Sequence, residues 1–260
     1  MLKVFDMKLL SLNIWCGKVY GPLMDYIRKQ AKDTDIFCFQ EVLNTPTDNA
    51  STRDFRANIY AELEKILPDF VGYFSAEQDG VDPIGNVNFP ITFGKAMFIR
   101  KSLDVEKVDD VFVYRERNGR VNDDNTTHPA SLQYTVINRD GTTYTVAHFH
   151  GLWNGRGKTD TDDRLEQSRK VKEFLNGAEG KVVFCGDFNL SPDTKSLAMI
   201  KEGLVNLIEI NGVMTTRSSL YGKPEKFADY TIVSPDVEVR KFDVPSDKIS
   251  DHLAMILEFA

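Results

Sequence analysis

The sequence predicts a mixed α/β fold built from packed layers. Short strand-like segments (about ten) outnumber helix-like segments (about four). The two kinds of segment do not alternate regularly, and at least one β-hairpin joins neighbouring strands. A doubly wound parallel sheet and a TIM barrel are therefore both disfavoured. A chain of 260 residues can bury one large core, and we expect a single domain over residues 1–260.

The strand predictions rest on short apolar runs bounded by turn residues. Asp140 and Gly141 stand between two runs rich in Val, Thr and Tyr, which is typical of a hairpin. The predicted strands are Met7–Trp15, Asp35–Gln40, Lys95–Arg100, Val105–Tyr114, Leu132–Asn138, Thr142–His150, Lys181–Cys185, Tyr230–Ser234, Val237–Val244 and Leu253–Phe259. Two polar stretches, Ala76–Phe93 and Arg115–Pro129, are too long for turns, so we expect them to shape a site.

The helix predictions rest on apolar residues at intervals of three and four. The first helix follows Pro22, the second is capped by Ser51 or Thr52, and the third ends at Gly177. Their apolar faces consist of Leu23, Tyr26, Ile27 and Ala31 in the first helix, Phe55, Ile59, Leu63 and Ile66 in the second, and Leu165, Val171, Phe174 and Leu175 in the third.

Charge and composition exclude several classes of protein. The chain has 39 acidic against 32 basic residues and a net charge of -7, which argues against a protein that coats nucleic acid with positive charge. No apolar run approaches the ~18 residues of a membrane span. The N-terminal stretch indicates a strand rather than a signal peptide, because Asp6 and Lys8 interrupt it. Cys16, Cys38 and Cys185 form an odd set in apolar runs, so we expect free thiols and a cytoplasmic protein. Nothing in the sequence indicates an obligate protein partner.

Polar side chains cluster at the ends of the apolar strands, where sites are assembled. They are Asn13, Glu41, His148, His150, Asp187, Asn189, Asp229, Asp251 and His252. Each alone is typical of a turn or a cap, but three of the four histidines fall in this set. Residues two apart share a face of a strand, so Asp187 and Asn189 can reach one substrate together. Oxygen ligands suit Mg²⁺ or Mn²⁺, and with the histidines they indicate metal-assisted transfer of a phosphoryl group to water.

Six motifs in a fixed order carry a resemblance to a known family. They are SLNIW, QEV at Gln40–Val42, FHGLW at Phe149–Trp153, GDFN at Gly186–Asn189, ADYTIVS at Ala228–Ser234 and SDHLAM at Ser250–Met255. The set resembles the endonuclease/exonuclease/phosphatase superfamily with the DNase-I-like fold, from Lys8 to Phe259. The resemblance implies an α+β fold, namely a four-layer α/β/β/α sandwich of two mixed sheets with the site at one edge.

The resemblance also implies a role for each motif residue. Glu41 is the main ligand of Mg²⁺ or Mn²⁺, Asn13 helps to hold the metal or a phosphate oxygen, and Asp251 lies near the metal. Asp187 orients or deprotonates the attacking water, and Asn189 binds the scissile phosphate. Asp229 orients a catalytic histidine or assists the metal, and His252 contacts a non-bridging phosphate oxygen. The second catalytic histidine is His150, with His148 as the alternative.

The substrate is open at this point, because fold and motifs fix only the phosphate chemistry. Arg156, Lys158 and Arg164 lie in the basic stretch Gly151–Arg164, and Arg217 belongs to a second basic cluster; we expect Arg156, Arg164 and Arg217 to contact phosphate. Arg164 has the alternative of pairing with nearby aspartates. Trp153 either stacks on a base or sugar or fills the core.

Three functions stay open from the sequence. The first is hydrolysis of a phosphodiester in a nucleic acid or oligonucleotide, with endonuclease and exonuclease action both allowed. The second is action on a small soluble or lipid-derived phosphate ester, such as an inositol phosphate or a sphingomyelin-like ester. The third is a catalytically silent phosphate-binding module.

Overall fold

The computed structural model describes residues 6–47 and 52–260. The predicted cap residue Ser51 lies outside the described residues. The strands in chain order are β1 (Met7–Asn13), β2 (Ile36–Asn44), β3 (Phe70–Asp79), β4 (Val81–Asp82), β5 (Gly85–Asn86), β6 (Thr92–Arg100), β7 (Asp104–Tyr114), β8 (Ala130–Arg139), β9 (Thr142–His150), β10 (Lys181–Asp187), β11 (Val205–Asn206), β12 (Asp229–Val233), β13 (Val239–Asp243) and β14 (Met255–Phe259). The helices are α1 (Tyr20–Gln30), α2 (Ile59–Ile66), α3 (Asp162–Asn176), α4 (Lys195–Lys201) and α5 (Leu207–Ile210).

Two six-stranded sheets form the centre of the fold. The first has the strand order β13-β14-β1-β2-β6-β3 and the second the order β11-β12-β10-β9-β8-β7. Strand β1 runs parallel to β2, and β9 runs parallel to β10, whereas the other neighbours are antiparallel. Both sheets are therefore mixed, as the sequence predicts.

The layers follow from the two-residue period of the strands. In β1, Leu9 packs with Val146 and Val183 of the second sheet in one apolar cluster between the sheets. Leu10, on the opposite face of β1, packs with α1 and α2 in a second cluster. A third cluster joins α3 and α4 to the outer face of the second sheet around Phe184. The predicted α/β/β/α sandwich is confirmed.

The helix predictions were partly right about boundaries. Pro22 lies in the first turn of α1 and Gly177 is the C-cap residue of α3, as predicted. Helix α2 begins at Ile59 rather than near Thr52, because Thr52 pairs with Phe55 in an isolated β-bridge. The short helices α4 and α5 were not predicted, since helices of seven and four residues are too short to show a clear period.

The hairpin prediction is confirmed, and the two polar stretches have distinct structures. Asp140 and Gly141 have φ angles of 52° and 79°, as a tight type I′ turn requires. Strand β3 occupies the start of the stretch from Ala76, followed by the hairpin of β4 and β5. The stretch from Arg115 is mostly loop around a short 3₁₀ turn. All three cysteines are free and buried, and no helix in the described ranges is long and apolar enough to cross a membrane.

Candidate active site

A cavity of about 230 Å³ opens at the edge of the two sheets. The sequence-predicted residues that line it are Glu41, His150, Trp153, Asp187, Asn189, Arg217, Asp251 and His252. The register of the second sheet explains part of this set. Asp187 at the end of β10 is paired with His150 on β9 and with Asp229 on β12. Three polar side chains that are distant in sequence therefore meet at one sheet edge.

Two local backbone features bring these side chains into the cavity. Glu41 has a φ of 54° at an irregularity of β2, where the pairing with β6 shifts between Phe39 and Val42. Such a bulge turns a side chain out of the regular alternation. Gly186 has a φ of 132°, and a Cβ atom there would lie 2.2 Å from the carbonyl oxygen of Phe149. Only glycine allows β10 to lie this close to β9 just before Asp187.

One group of side chains has the composition of a cation site. The Nε2 atom of His150 lies 3.8 Å from Oε1 of Glu41 and 3.7 Å from Oδ2 of Asp187. These three side chains can direct one ligand atom each at a common point. Burial raises the pKa of Glu41, and the opposing effect of His150 is smaller. A half-buried carboxylate whose negative charge the protein only partly balances suits a divalent cation with oxygen and imidazole ligands.

The side chain of Asn13 is not oriented as a metal ligand. Its side-chain nitrogen donates to Oε1 of Glu41 at 2.8 Å and to Oδ2 of Asp187 at 3.2 Å. Its oxygen accepts the backbone N–H of Trp15 at 3.0 Å. Since the amide turns donors toward the carboxylates, Asn13 orients Glu41 and Asp187 in this structure rather than offering an oxygen to a metal. A donor in this position also suits a phosphate oxygen, the other predicted role.

His252 and Asp229 form a buried pair. The Nδ1 atom of His252 lies 2.8 Å from Oδ1 and 2.9 Å from Oδ2 of Asp229. Its Nε2 atom faces Oδ2 of Asp187 at 3.5 Å. Burial opposes protonation of His252, but the carboxylates of Asp229 and Asp187 outweigh burial and raise its pKa. Asp229 therefore fixes the ring so that Nε2 faces the cavity, as the predicted orienting role requires.

Asp187 is a buried carboxylate that its cationic neighbours keep ionised. Burial alone would raise its pKa, but His252, Lys158 and Arg217 together hold the pKa well below its usual range. Its Oδ1 atom accepts the backbone N–H of Asn189 at 2.9 Å, and Asn189 has a φ of 54°. The carboxylate is thus a permanent acceptor, fixed in position and available to orient a water molecule.

Arg217 contacts the same group from the side of the C-terminal motif. Its backbone pairs with that of His252 in an isolated β-bridge. Its Nη1 atom contacts Nε2 of His252 and lies 3.4 Å from Oδ2 of Asp251. The guanidinium plane also stacks on Tyr221 at 4.1 Å from the ring centroid. An anion between Arg217 and a protonated His252 would accept from both cations, so this corner of the cavity is suited to a phosphate oxygen.

The alternative histidine, His148, does not belong to the cavity. It is completely buried, with Nδ1 3.0 Å from Nε2 of Gln40 and Nε2 2.8 Å from Oε1 of Gln133. Burial, and to a smaller extent Lys95, lowers its pKa. Both ring nitrogens contact neighbouring amides, and His148 is not among the residues that line the cavity. His150, one step further along β9, occupies the predicted position.

The predicted phosphate contact Arg164 is also corrected. Its side chain is 1% exposed, and its guanidinium donates to the carbonyl oxygens of Leu152, Gly157 and Thr159. With its donors directed at backbone oxygens, Arg164 fixes the loop 151–161 rather than binding substrate. The alternative of pairing with the neighbouring aspartates does not occur either, because none of them is among its hydrogen-bond partners.

Of the two other predicted contacts, Trp153 lines the cavity and Arg156 does not. Trp153 is 45% exposed, so it does not fill the core, and its ring is free for stacking. Lys158 is a cavity residue to which the sequence assigned no role. Its buried Nζ atom donates to Oδ1 of Asn189 at 2.6 Å. Its position in a glycine-rich basic loop indicates a possible anion contact. However, nothing in the sequence distinguishes it from the exposed Arg156.

Comparison with known proteins gives the family. The model of the Endonuclease/Exonuclease/phosphatase family matches residues 10–252, and the chain belongs to this family. Its members are hydrolases that act on phosphoester bonds and depend on divalent metals. No curated protein sequence matches the chain.

Solved structures agree in fold at low sequence identity. An endonuclease/exonuclease/phosphatase family protein from Bacteroides thetaiotaomicron has a TM-score of 0.71 at 18% identity, over 98% of this chain and 97% of that chain. The mannosyl-6-phosphatase of the same organism has a TM-score of 0.68 at 16% identity, over 98% and 99%. ANGEL2, a 2′,3′-cyclic phosphatase, has a TM-score of 0.67 at 16% identity, over 99% and 96%.

Proposed function

We propose that this protein hydrolyses a phosphate ester by in-line attack of water, with a divalent cation such as Mg²⁺ or Mn²⁺. The observation that carries the proposal is the position of Asp187. Its Oδ2 atom lies within 4 Å of both histidines, at 3.7 Å from His150 and 3.5 Å from His252. An ionised carboxylate between two imidazoles can orient a water molecule by accepting a hydrogen bond from it.

The cation is assigned to Glu41 with His150 and Asp187, and Asp251 lies close enough to interact electrostatically with Glu41. When bound, a divalent cation polarises the phosphoryl oxygen and activates water. The chain itself supplies the remaining groups. Asn189 and Arg217 bind phosphate oxygens, and His252 donates to a non-bridging oxygen from Nε2.

Asp229 accepts the Nδ1–H of His252 and raises the pKa of the ring. When the ring is protonated, its second proton is on Nε2, the nitrogen that faces phosphate. The group of residues assembles in one place the anion donors and the water-orienting carboxylate that an in-line displacement needs. A catalytically silent module has no use for a water-orienting Asp187, and this favours the enzyme.

The first substrate candidate is a small phosphate ester. The cavity measures about 230 Å³, and two arginines of the loop that follows β7 are engaged internally. Arg117 pairs with Asp79, and Arg120 pairs with Asp123 and donates to Asn125. A protein that tracks a nucleic-acid backbone needs such cations free. The fold also carries the mannosyl-6-phosphatase named above, a phosphatase of a small substrate.

The second candidate is a phosphodiester in an oligonucleotide, and Trp153 favours it. An indole ring that is 45% exposed at the rim of the cavity can stack on a base, and such stacking is tolerant of sequence. The cyclic phosphatase activity named for ANGEL2 is compatible with this substrate class on the same fold.

The test is a product screen with the metal-stripped protein, to which Mg²⁺, Mn²⁺ or Zn²⁺ is returned. The substrates are p-nitrophenyl phosphate, bis-p-nitrophenyl phosphate, hexose and inositol phosphates, and a short oligonucleotide. We expect metal-dependent release of product, and loss of at least 100-fold in kcat for Glu41→Gln. Glu202→Gln, which changes an exposed glutamate outside the cavity, is the matched control. Full activity of Glu41→Gln, or hydrolysis unaffected by chelation, contradicts the proposal.

A further inference from the structure

A buried carboxylate on the far side of the cavity has no part in the proposed chemistry. Glu77, near the end of β3, is 1% exposed and lines the same cavity as Asn189 and His252. Its Oε1 atom accepts from Nζ of Lys95 at 2.6 Å, from the backbone N–H of Ser131 at 2.8 Å, and from the Ser131 hydroxyl at 3.2 Å. Three donors on one oxygen fix the carboxylate plane.

The second oxygen of this carboxylate is available to a ligand. Among the described residues, no donor bonds to Oε2 of Glu77. A carboxylate offers about four acceptor positions, and here the protein uses only one of the two oxygens. Because the carboxylate is rigid, an acceptor at the cavity wall is positioned before any ligand arrives.

Stability gives no sufficient reason for this pair. Lys95 is completely buried, and removing two charges from water costs more than a single ion pair usually returns. Replacing a buried ion pair by apolar residues of similar volume is often neutral or stabilising. A buried glutamate that is kept rigid at the wall of a cavity is instead typical of a recognition site.

The basic groups next to Glu77 are either engaged by the protein or uncharged. Lys95 lies behind it and donates to both Glu77 and Ser131. His128, also on this wall, is neutral at pH 7, because burial, together with Arg120, lowers its pKa to about 4. The side-chain oxygen of Asn125 already accepts from Arg120 at 2.7 Å. The opposite end of the cavity, in contrast, carries Arg217 and Lys158.

We infer that Glu77 is a recognition site for a hydroxyl group of the leaving alcohol, so that the substrate is the phosphate monoester of a polyhydroxylated alcohol, a sugar or a polyol. This inference rests on the proposed function and gives it a substrate class. The phosphate occupies the cationic end, and the alcohol extends toward Glu77. Trp153 lines the cavity, and its indole can cover the apolar face of a sugar ring.

Two other chemistries fit this wall less well. A second phosphate, as in an oligonucleotide, has no hydrogen to donate to Oε2 of Glu77. An ammonium group, as in phosphoethanolamine, would find a carboxylate that Lys95 has already neutralised. A neutral O–H donor meets neither penalty and forms a charge-assisted hydrogen bond.

The first experiment uses the unmodified protein with Mg²⁺ and compares esters that differ only in the alcohol. The esters are a hexose 6-phosphate, its monodeoxy analogues, a hexitol phosphate, hexyl phosphate, phosphoethanolamine and a dinucleotide. A site built to bind a hydroxyl rejects analogues without it strongly. We expect kcat/KM for the hexose or hexitol ester to exceed that for hexyl phosphate at least about 100-fold. Removal of one particular hydroxyl should account for most of the difference in kcat/KM. Comparison of the hexose and hexitol esters shows whether the site prefers a sugar ring or an open-chain polyol.

The second experiment locates the acceptor. Glu77→Gln alone would leave Lys95 buried without its partner, so the variants are the doubles E77Q/K95M and E77L/K95M. The first retains a side-chain oxygen and the second has none. We expect the preference for the hydroxylated ester over hexyl phosphate to be partly kept in E77Q/K95M and reduced to within about 10-fold in E77L/K95M. The exposed pair Lys201 and Glu209 gives the matched control K201M/E209Q, which should keep the preference.

The outcomes separate this inference from the function on which it rests. Hydrolysis of p-nitrophenyl phosphate with equal rates for hydroxylated and plain alkyl esters overturns the inference and leaves the phosphoesterase intact. A preference for phosphoethanolamine or the dinucleotide does the same. If both double variants fail to unfold cooperatively, the deoxy series on the unmodified protein decides alone. Absence of turnover of every ester with every metal overturns both.

Discussion

Lys158 donates a hydrogen bond of 2.6 Å from Nζ to Oδ1 of Asn189 within the candidate active site. The side-chain nitrogen of Asn189 donates to the carbonyl oxygen of Gly151 at 2.9 Å. These two contacts fix which end of the amide is oxygen and which is nitrogen. Burial lowers the pKa of Lys158, although Asp187 and Asp229 oppose this effect. The lysine thus positions the residue that is proposed to bind the scissile phosphate.

Lys158→Met should therefore reduce kcat and raise KM, by roughly 10–100-fold in kcat/KM, because the Asn189 amide loses its fixed orientation. Lys158→Arg should restore part of kcat, since it keeps a donor to the same oxygen. Steady-state kinetics on p-nitrophenyl phosphate check both variants. The exposed Lys195 offers the control K195M. Equal kinetics of Lys158→Met and the unmodified protein would show that Asn189 needs no such support.

Asp229→Asn should impair catalysis in a protein that still folds. The amide keeps the shape of Asp229 but can present an N–H to Nδ1 of His252. This disfavours the protonated imidazole and the ring orientation with Nε2 toward the cavity, both of which the aspartate stabilises. We expect kcat to fall by about 10²–10⁴-fold. The exposed Asp193 provides the matched change D193N. A D229N protein with normal kcat would remove Asp229 from the mechanism.

Arg164→Met should destabilise the fold, because three backbone oxygens near the cavity lose a buried donor. The expected loss in the free energy of unfolding is roughly 2–4 kcal/mol, measured by urea denaturation. Arg169, an exposed residue of the same helix, gives the control R169M, for which we expect a change within about 0.5 kcal/mol. If R164M is as stable as R169M, the guanidinium is not needed to support the loop.

His128 should make stability depend on pH between neutral and mildly acidic conditions. Its pKa in the fold is about 4, against about 6.5 in the unfolded chain. Below pH 6.5 His128 binds a proton in the unfolded chain but not in the folded protein. The free energy of unfolding therefore falls as pH decreases toward 4. His128→Gln should remove up to about 1.4 kcal/mol per pH unit of this slope. Urea midpoints at pH 7 and pH 5 measure the slope, and identical slopes in both proteins would contradict the assignment.

The contrast between His148 and His150 shows where sequence reasoning stopped. Both are on the same face of β9, as their spacing of two residues indicates. A step of two residues moves a side chain by about 7 Å along a strand. That distance places His148 between the sheets, against Gln40 and Gln133, and His150 at the open edge. Spacing cannot distinguish the two, since the position of the edge depends on how the sheets are stacked.

The basic residues show the same limit. Arg156, Lys158 and Arg164 stand within nine positions of the chain and look alike in the sequence. In the structure, Arg164 supports backbone oxygens, Lys158 contacts Asn189, and Arg156 lies outside the cavity. Charge alone predicts an affinity for anions, but the partners of each donor are decided by loop packing.

The sequence by itself determined the two-sheet sandwich, its family and the strand-end residues of the site, because strand period, turn residues and motif order are local properties of the chain. Only the tertiary structure decided which side chains share the cavity. It directed the nitrogen of Asn13 toward Glu41, brought Lys158 to Asn189, and placed Glu77 with Lys95 on the opposite wall. Such contacts join residues far apart in the chain. They depend on how deeply each side chain is buried and on which hydrogen-bond donors the neighbouring elements have not already used. A local sequence pattern contains neither kind of information.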